Sequence, residues 1–252
     1  MDAQTERQHV LILGGTKEAR QLAEALAAAE PFNVTYALHA PTGTVQAPQN
    51  CTLHVGSFGG KDGLLAFIDA QHVSVLVNAL HPHAKVMQER FEALSGALAL
   101  STYSLHRPLW PAQSGDQWRH FSDVEDLIGA VQQAGLATLF CAVGPQSMQA
   151  FAALTDAATV YARRFDVSRG ADNGAIRWID ALPHPSQDAE IKLLEALGIQ
   201  ALVTKNSGGD RPAKLDAAKH LGLPVFLLDP PGRPKGGFDD WQDLRDALLR
   251  RV

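Results

Sequence analysis

The chain has 252 residues, 46% hydrophobic and 19% charged, the balance of an ordinary globular protein large enough to bury a substantial core without disulfide or metal staples. Its 22 basic and 27 acidic residues give a formal net charge of −5. That argues against broad nucleic-acid binding, which draws its affinity from Lys and Arg neutralising phosphates. No run reaches the roughly eighteen apolar residues of a membrane span, and the opening MDAQTERQ lacks an apolar signal core; a cytoplasmic protein without membrane association is expected.

His9–Leu13 (HVLIL) is a continuous apolar stretch followed by glycines, the pattern of a strand buried on both faces. Lys17–Ala29 then reads as a helix whose apolar face is Ala19, Leu22, Ala23 and Leu26, stopped by Pro31. The alternation continues with strands at Asn33–Leu38, Thr52–Val55, Val73–Asn78 and Ala97–Tyr103, and helices at Asp62–Ala70 and Ala84–Leu94. Strands separated by helices predict a parallel sheet covered on both faces.

His106–Gly115 carries Pro108, Pro111 and Gly115 without periodicity, and the domain linker is placed there. Two α/β domains follow from that break, over 1–110 and 111–252. In the second, helices are expected at Val124–Ala134, Pro145–Leu154, Ser186–Leu197 and Pro212–Leu221, with strands at Thr138–Ala142, Val160–Arg163, Ala201–Thr204 and Pro224–Leu228. Asp166–Gly174 reads as an exposed loop and Asp239–Arg251 as an amphipathic final helix. Cys51 and Cys141 adjoin or lie within apolar runs and show no C-x-x-C spacing, so both are expected to pack as small hydrophobes in a reducing compartment.

Four loops carry the polar chemistry. Gly14-Gly15-Thr16 sits where a buried strand meets a helix, so it is either a phosphate-binding turn or a tight connection needing glycine. Val55–Gly60 places Gly56, Gly59 and Gly60 after a strand, as a ligand-lining or a merely flexible loop. Asn78–Ala84 ends a strand with His81 and His83; no Asp, Glu or Cys lies nearby in sequence, so no metal is expected, and His81 is either turned toward a cofactor or substrate or a satisfied surface histidine. Thr204–Gly209, followed by Lys214, offers donors and no fixed negative charge, which suits a phosphate or carboxylate ligand, or else caps a helix. Gly144-Pro145-Gln146 repeats the strand-turn-helix arrangement and is read as structural.

Taken together these segments resemble the precorrin-6A reductase family. The resemblance is carried by Ile12–Arg20, the Val55–Gly60 loop with Asp62-Gly63, His81-Pro82, Val203–Gly209, Lys214-Leu215 and Leu221–Val225. It implies two Rossmann-like domains with parallel sheets and an interdomain cleft, and hydride transfer from NADPH to a double bond of a tetrapyrrole in cobalamin biosynthesis. Carried over, Gly14, Gly15, Thr16, Glu18, Ala19, His39, Ala40, Thr42, Gly56, Ser57, Phe58, Gly59 and Leu80 hold the dinucleotide. His81, Lys205, Asn206, Ser207, Gly208, Gly209 and Lys214 face the substrate, with His81 as proton donor. Arg163 and Arg164 join Lys205 and Lys214 as cations for the substrate's carboxylates.

Three loops depart from the family's pattern. His39-Ala40-Pro41-Thr42-Gly43 stands where the family commonly has Ala-Gly-Arg-Thr, which leaves NADH open beside NADPH, with His39 or Lys17 in place of the Arg. Leu80-His81-Pro82-His83-Ala84 replaces Thr-His-Pro-Phe-Ala, and Leu182-Pro183-His184-Pro185 replaces Arg-Gly-Pro-Phe. A reductase of another substrate, or a non-catalytic nucleotide-binding protein, are the alternatives. A monomer is expected.

Overall fold

The computed structural model describes residues 7–38, 47–96, 100–164, 174–232 and 236–251. The chain forms two compact units, Met1–Pro108 with Gly232–Val252, and Leu109–Pro231. The expected loops at His39–Gly43 and, but for Gly174, at Asp166–Gly174 lie outside the described residues.

In the first unit, β1 (Gln8–Leu13), β2 (Phe32–Leu38), β3 (Thr52–Val55), β4 (Val73–Asn78) and β5 (Ser101–Ser104) form one parallel sheet in the order β3-β2-β1-β4-β5. The continuous apolar run of β1 has a simple cause. Val10 and Ile12 pack under α1 (Lys17–Ala27), while Leu11 and Leu13 pack on the other face against Leu64 and Ile68 of α2 (Gly60–Ala70) and Phe91 and Leu94 of α3 (Lys85–Ser95). A strand covered on both faces gains from an apolar residue at every position.

The C-terminal helix, Trp241–Leu249, was expected in the second domain and belongs to the first unit. Its buried Leu244 and Leu248 join Leu22, Ala23 and Leu26 of α1 in one core. Phe238 returns the chain, donating its N–H to the Ser104 carbonyl at 2.9 Å and accepting from His106 at 2.7 Å. Gly237 permits that approach, because a Cβ there would stand 2.5 Å from the His106 ring and 2.7 Å from the Ser104 carbonyl oxygen.

The second unit has a six-stranded parallel sheet built from β6 (Trp118–Phe121), β7 (Thr138–Ala142), β8 (Thr159–Arg164), β9 (Ile176–Asp180), β10 (Ala201–Lys205) and β11 (Val225–Leu228). Its order is β6-β11-β10-β7-β8-β9. One face is covered by α4 (Val124–Gln133) and the segment Pro145–Asp156, the other by α5 (Gln187–Ala196) and α6 (Ala213–His220). Sequence patterning misses β6 and β9. Both lie at sheet edges and carry interleaved polar residues, WRHF and IRWID, where the apolar signal is weakest.

Pro145–Asp156 is a run of 3-10 turns and not the expected α-helix. Met148, Phe151 and Leu154 recur at every third position and all are buried, which matches the three residues per turn of that helix, whose side chains at i and i+3 eclipse. Cys141 is buried in the same core, its thiol pushed up to about 12 by removal from water, as befits a packing residue. Cys51 contacts the Ala23 carbonyl and its thiol is raised to about 11, chiefly by burial.

Candidate functional site

In the first sheet, β1 leads to β2 and β3 on one side and to β4 and β5 on the other, so the ends of β1 and β4 mark a topological switch point, where open parallel sheets take ligands beyond their carboxyl ends. Gly14-Gly15-Thr16 leaves β1 there, and Ala79-Leu80-His81 leaves β4. Thr16 joins the two. Its Oγ1 caps α1 by accepting the Ala19 N–H at 3.1 Å and donates to the Ala79 carbonyl at 3.4 Å.

Tyr36, which sequence reasoning did not single out, shapes this turn. The buried phenol accepts the Gly15 N–H at 3.0 Å, and burial raises its pKa. Gly14 donates to the Ala37 carbonyl at 3.0 Å. The N–H groups of Gly14 and Gly15 are therefore engaged by the protein, and the turn's attraction for an anion rests on the amino end of α1. Glu18, in the first turn of that helix, is ion-paired to Arg107 at 3.0 Å, which neutralises an acid that would otherwise repel a phosphate.

A Cβ at Gly14 would lie 2.3 Å from the Tyr36 ring. Gly14→Ala is expected to displace the ring and the turn together, costing about 1–3 kcal/mol of stability, which a thermal melt checks.

The glycine loop after β3 is pinned. Phe58 stacks on His54 with centroids 4.2 Å apart and meets Phe67 edge-on at 5.1 Å. Ser57 Oγ accepts the Gly59 N–H at 3.1 Å, and Gly59 enters α2 with a positive φ of 81°. Gly63 is needed because a Cβ would fall 1.6 Å from the Phe58 carbonyl oxygen. At His81, Nδ1 accepts the His83 N–H at 3.2 Å, which assigns the ring proton to Nε2. Among the described residues no three His, Cys, Asp or Glu side chains gather to hold a metal, and no helix is long and apolar enough to cross a membrane. The cofactor candidates His39, Ala40 and Thr42 lie outside the described residues.

The second sheet has its own switch point between β7 and β10. Lys205 ends β10 and donates from Nζ to Ser147 Oγ, in the segment after β7, at 2.5 Å; burial lowers its pKa. Lys214 of α6 donates to Thr204 Oγ1 at 2.8 Å, and Thr204 donates to the Ala142 carbonyl at 3.1 Å. Burial, reinforced by Arg163, pulls the Lys214 ammonium down to about 8. Lys205 and Lys214 therefore each stand beside a hydroxyl near the end of β10, and Ser147 is a polar neighbour that the sequence did not single out. The signal for Ser147 was its place just beyond Gly144-Pro145, at a strand's carboxyl end.

Three sequence candidates have other work. Asn206 is 2% exposed and ties three segments together: Oδ1 accepts the Trp110 N–H at 3.1 Å, Nδ2 donates to Asp229 at 3.2 Å, and its backbone N–H reaches Leu228 at 2.8 Å. Arg163 is bidentate to Glu190 at 2.7 and 3.1 Å. Arg164 pairs with Asp180 at 2.7 Å and lies over the Trp178 ring. Ser207 leans back to the Lys205 carbonyl at 3.5 Å, and Gly208 and Gly209 take positive φ of 64° and 73° to carry the loop away from β10.

Two doubly wound parallel sheets, each with polar groups at its switch point, define an α/β protein of the class whose ligand sites lie beyond the carboxyl ends of the strands. Residues 9–249 match the model of the family described as precorrin-6x reductase CbiJ/CobK, and the chain belongs to that family. It is 33% identical over 237 residues to the precorrin-6A reductase of Rhodobacter capsulatus, covering 89% of each chain. It is also 33% identical over 228 residues to that of Rhodococcus erythropolis, covering 89% of this chain and 90% of the relative. A solved structure titled CobK precorrin-6A reductase superposes with a TM-score of 0.84 at 30% identity, covering 96% of this chain and 97% of the other.

Proposed function

We propose that the protein is an NADPH-dependent reductase that converts precorrin-6A, or its cobalt form, to the 6B form in cobalamin biosynthesis. Family membership supports the reaction class, and the observation that carries the reading to this chain is the Gly14-Gly15-Thr16 turn, which sets the amino end of α1 at the first switch point. The backbones of Gly15, Gly56 and Gly59 border open space, which leaves a dinucleotide free to approach them, with the amino end of α1 facing its phosphates. Gly14, Gly15, Thr16, Ala19, Gly56, Ser57, Gly59 and Leu80 are the residues assigned to hold it, on the frame supplied by Tyr36 and Phe58. His39, Ala40 and Thr42 are assigned with them, and Lys17 or His39 takes the place of the family's Arg toward a 2′-phosphate.

When bound, the dinucleotide supplies a hydride from its nicotinamide ring. The chain's part is to position and to protonate. Arg107 keeps the Glu18 carboxylate compensated at the phosphate end. His81 is assigned to deliver a proton to the ring carbon beside the one reduced, acting as the imidazolium, so its Nδ1, which here accepts the His83 N–H, must first take up a proton from solvent. Lys205 and Lys214 face the substrate's acid side chains.

Fluorescence titration should show saturable binding of NADPH, tighter than NADH, and anaerobic turnover should change the absorption spectrum of precorrin-6A or its cobalt form. A protein that binds neither dinucleotide overturns the reading.

A further inference from the structure

Lys205 and Lys214 stand at the β7/β10 switch point, and each donates to a hydroxyl where a carboxylate would be expected. Lys205 meets Ser147 at 2.5 Å and Lys214 meets Thr204 at 2.8 Å. Among the described residues no Asp or Glu ion-pairs with either lysine. The carboxylate nearest in effect is Glu190, and both of its oxygens are engaged by Arg163. Arg163 and Lys214 thus share one anion on the α5/α6 face of the sheet, while Lys205, which faces Ser147, has burial alone acting on it. An ammonium taken out of water without a counter-ion is costly, and the fold keeps two.

The hydrogen-bond directions indicate where the missing charge belongs. Thr204 commits its proton to the Ala142 carbonyl at 3.1 Å and turns a lone pair to Lys214, so Lys214 is held beneath the strand end. Lys205 at the end of β10 and Ser147 in the segment after β7 form a pair of adjacent donors, matched in spacing to the two oxygens of a planar acid group.

We infer that the second switch point is a carboxylate subsite, in which Lys205 Nζ and Ser147 Oγ bind one acid side chain of the macrocycle while Lys214, fixed by Thr204, supplies compensating charge from below. The inference rests on the proposed reductase reading for the identity of the substrate. It adds Ser147 as a specificity-determining residue and moves Lys214 from direct contact to charge supply.

The test uses the full chain with precorrin-6A as probe. Its binding is read by quenching of tryptophan fluorescence, since Trp110 lies 5.9 Å from Lys214 Nζ, and KM and kcat are measured separately. Losing a charge-assisted bond should raise Kd and KM about tenfold in Lys205→Met and about threefold in Ser147→Ala. The kcat should stay within about threefold and NADPH affinity should not change, because the dinucleotide is assigned to the other unit. Lys205→Arg should restore part of the loss. Inorganic phosphate should compete with precorrin-6A in the wild type and less in Lys205→Met. Unchanged macrocycle Kd in both Lys205→Met and Ser147→Ala overturns the subsite alone, as does equal competition by phosphate in wild type and Lys205→Met. A wild type that binds NADPH but leaves both precorrin-6A and its cobalt form unbound overturns the reductase reading and the subsite with it.

Discussion

Glu190→Ala should lower stability by about 3–5 kcal/mol, because removing one member of a buried ion pair leaves the other charge uncompensated. Glu190 is 1% exposed and the Arg163 side chain 8%. The carboxylate accepts two guanidinium N–H groups at 2.7 and 3.1 Å and the His184 backbone N–H at 2.9 Å, so its loss strands three donors at once. Lys214, which also feels the Glu190 charge, would be left facing Arg163 alone. A urea titration should show the midpoint fall in Glu190→Ala and recover most of the way in Arg163→Met combined with Glu190→Leu, which removes both charges and keeps apolar volume over the Phe140 ring. An unchanged midpoint in the single variant would mean the pair is not the buttress its burial indicates.

Lys214→Met should do the opposite to stability and damage binding. Methionine keeps most of the stem and removes the charge, leaving Arg163 and Glu190 matched one to one, and relief of a buried charge of this kind is worth about 1–3 kcal/mol near neutral pH. The pH dependence has a definite sign. The folded-state pKa is about 8, below the ordinary lysine value of 10.5. Between those values the unfolded chain binds a proton that the folded chain lacks, so wild-type stability rises with pH across that window. The cost of the ammonium is fully present below about pH 8, and the advantage of the methionine variant should shrink toward nothing above about 10.5. Substrate affinity should move the other way, with wild-type KM for precorrin-6A climbing as pH passes about 8 and the variant already weak and flat. The groups facing Lys214 are Arg163 from β8, Glu190 from α5, Thr204 from β10 and the Trp110 ring. A variant that melts lower and binds as well as wild type would make Lys214 a packed side chain and nothing more.

Much of this architecture is local and therefore readable in the sequence. HVLIL can be apolar at every position only if both faces are covered, and helices between such runs imply parallel strands. Glycines at strand ends point to the carboxyl edge, and Gly14 and Gly15 do stand at the first switch point. The 3-10 run could have been recognised from the spacing of Met148, Phe151 and Leu154. The edge strands β6 and β9 are harder, because half of their side chains face water and the apolar period disappears.

The amino-acid sequence by itself determined the alternation of the core strands and most helices, a break within His106–Gly115 and the polar loops at strand ends, since each depends on periodicity or turn chemistry within a few residues. Tertiary structure decided the rest. An amphipathic face on Trp241–Leu249 carries no address, and only closure of the Phe238 strap beside Ser104 and His106 brings Leu244 and Leu248 to α1. An arginine or asparagine near a ligand-like loop is read as a ligand group until a partner far along the chain claims it, as Glu190 claims Arg163 and Trp110 claims Asn206. The charge left over after those claims, on Lys205 and Lys214, is a property of the folded arrangement. It arises because buried charge is balanced through space and not along the chain.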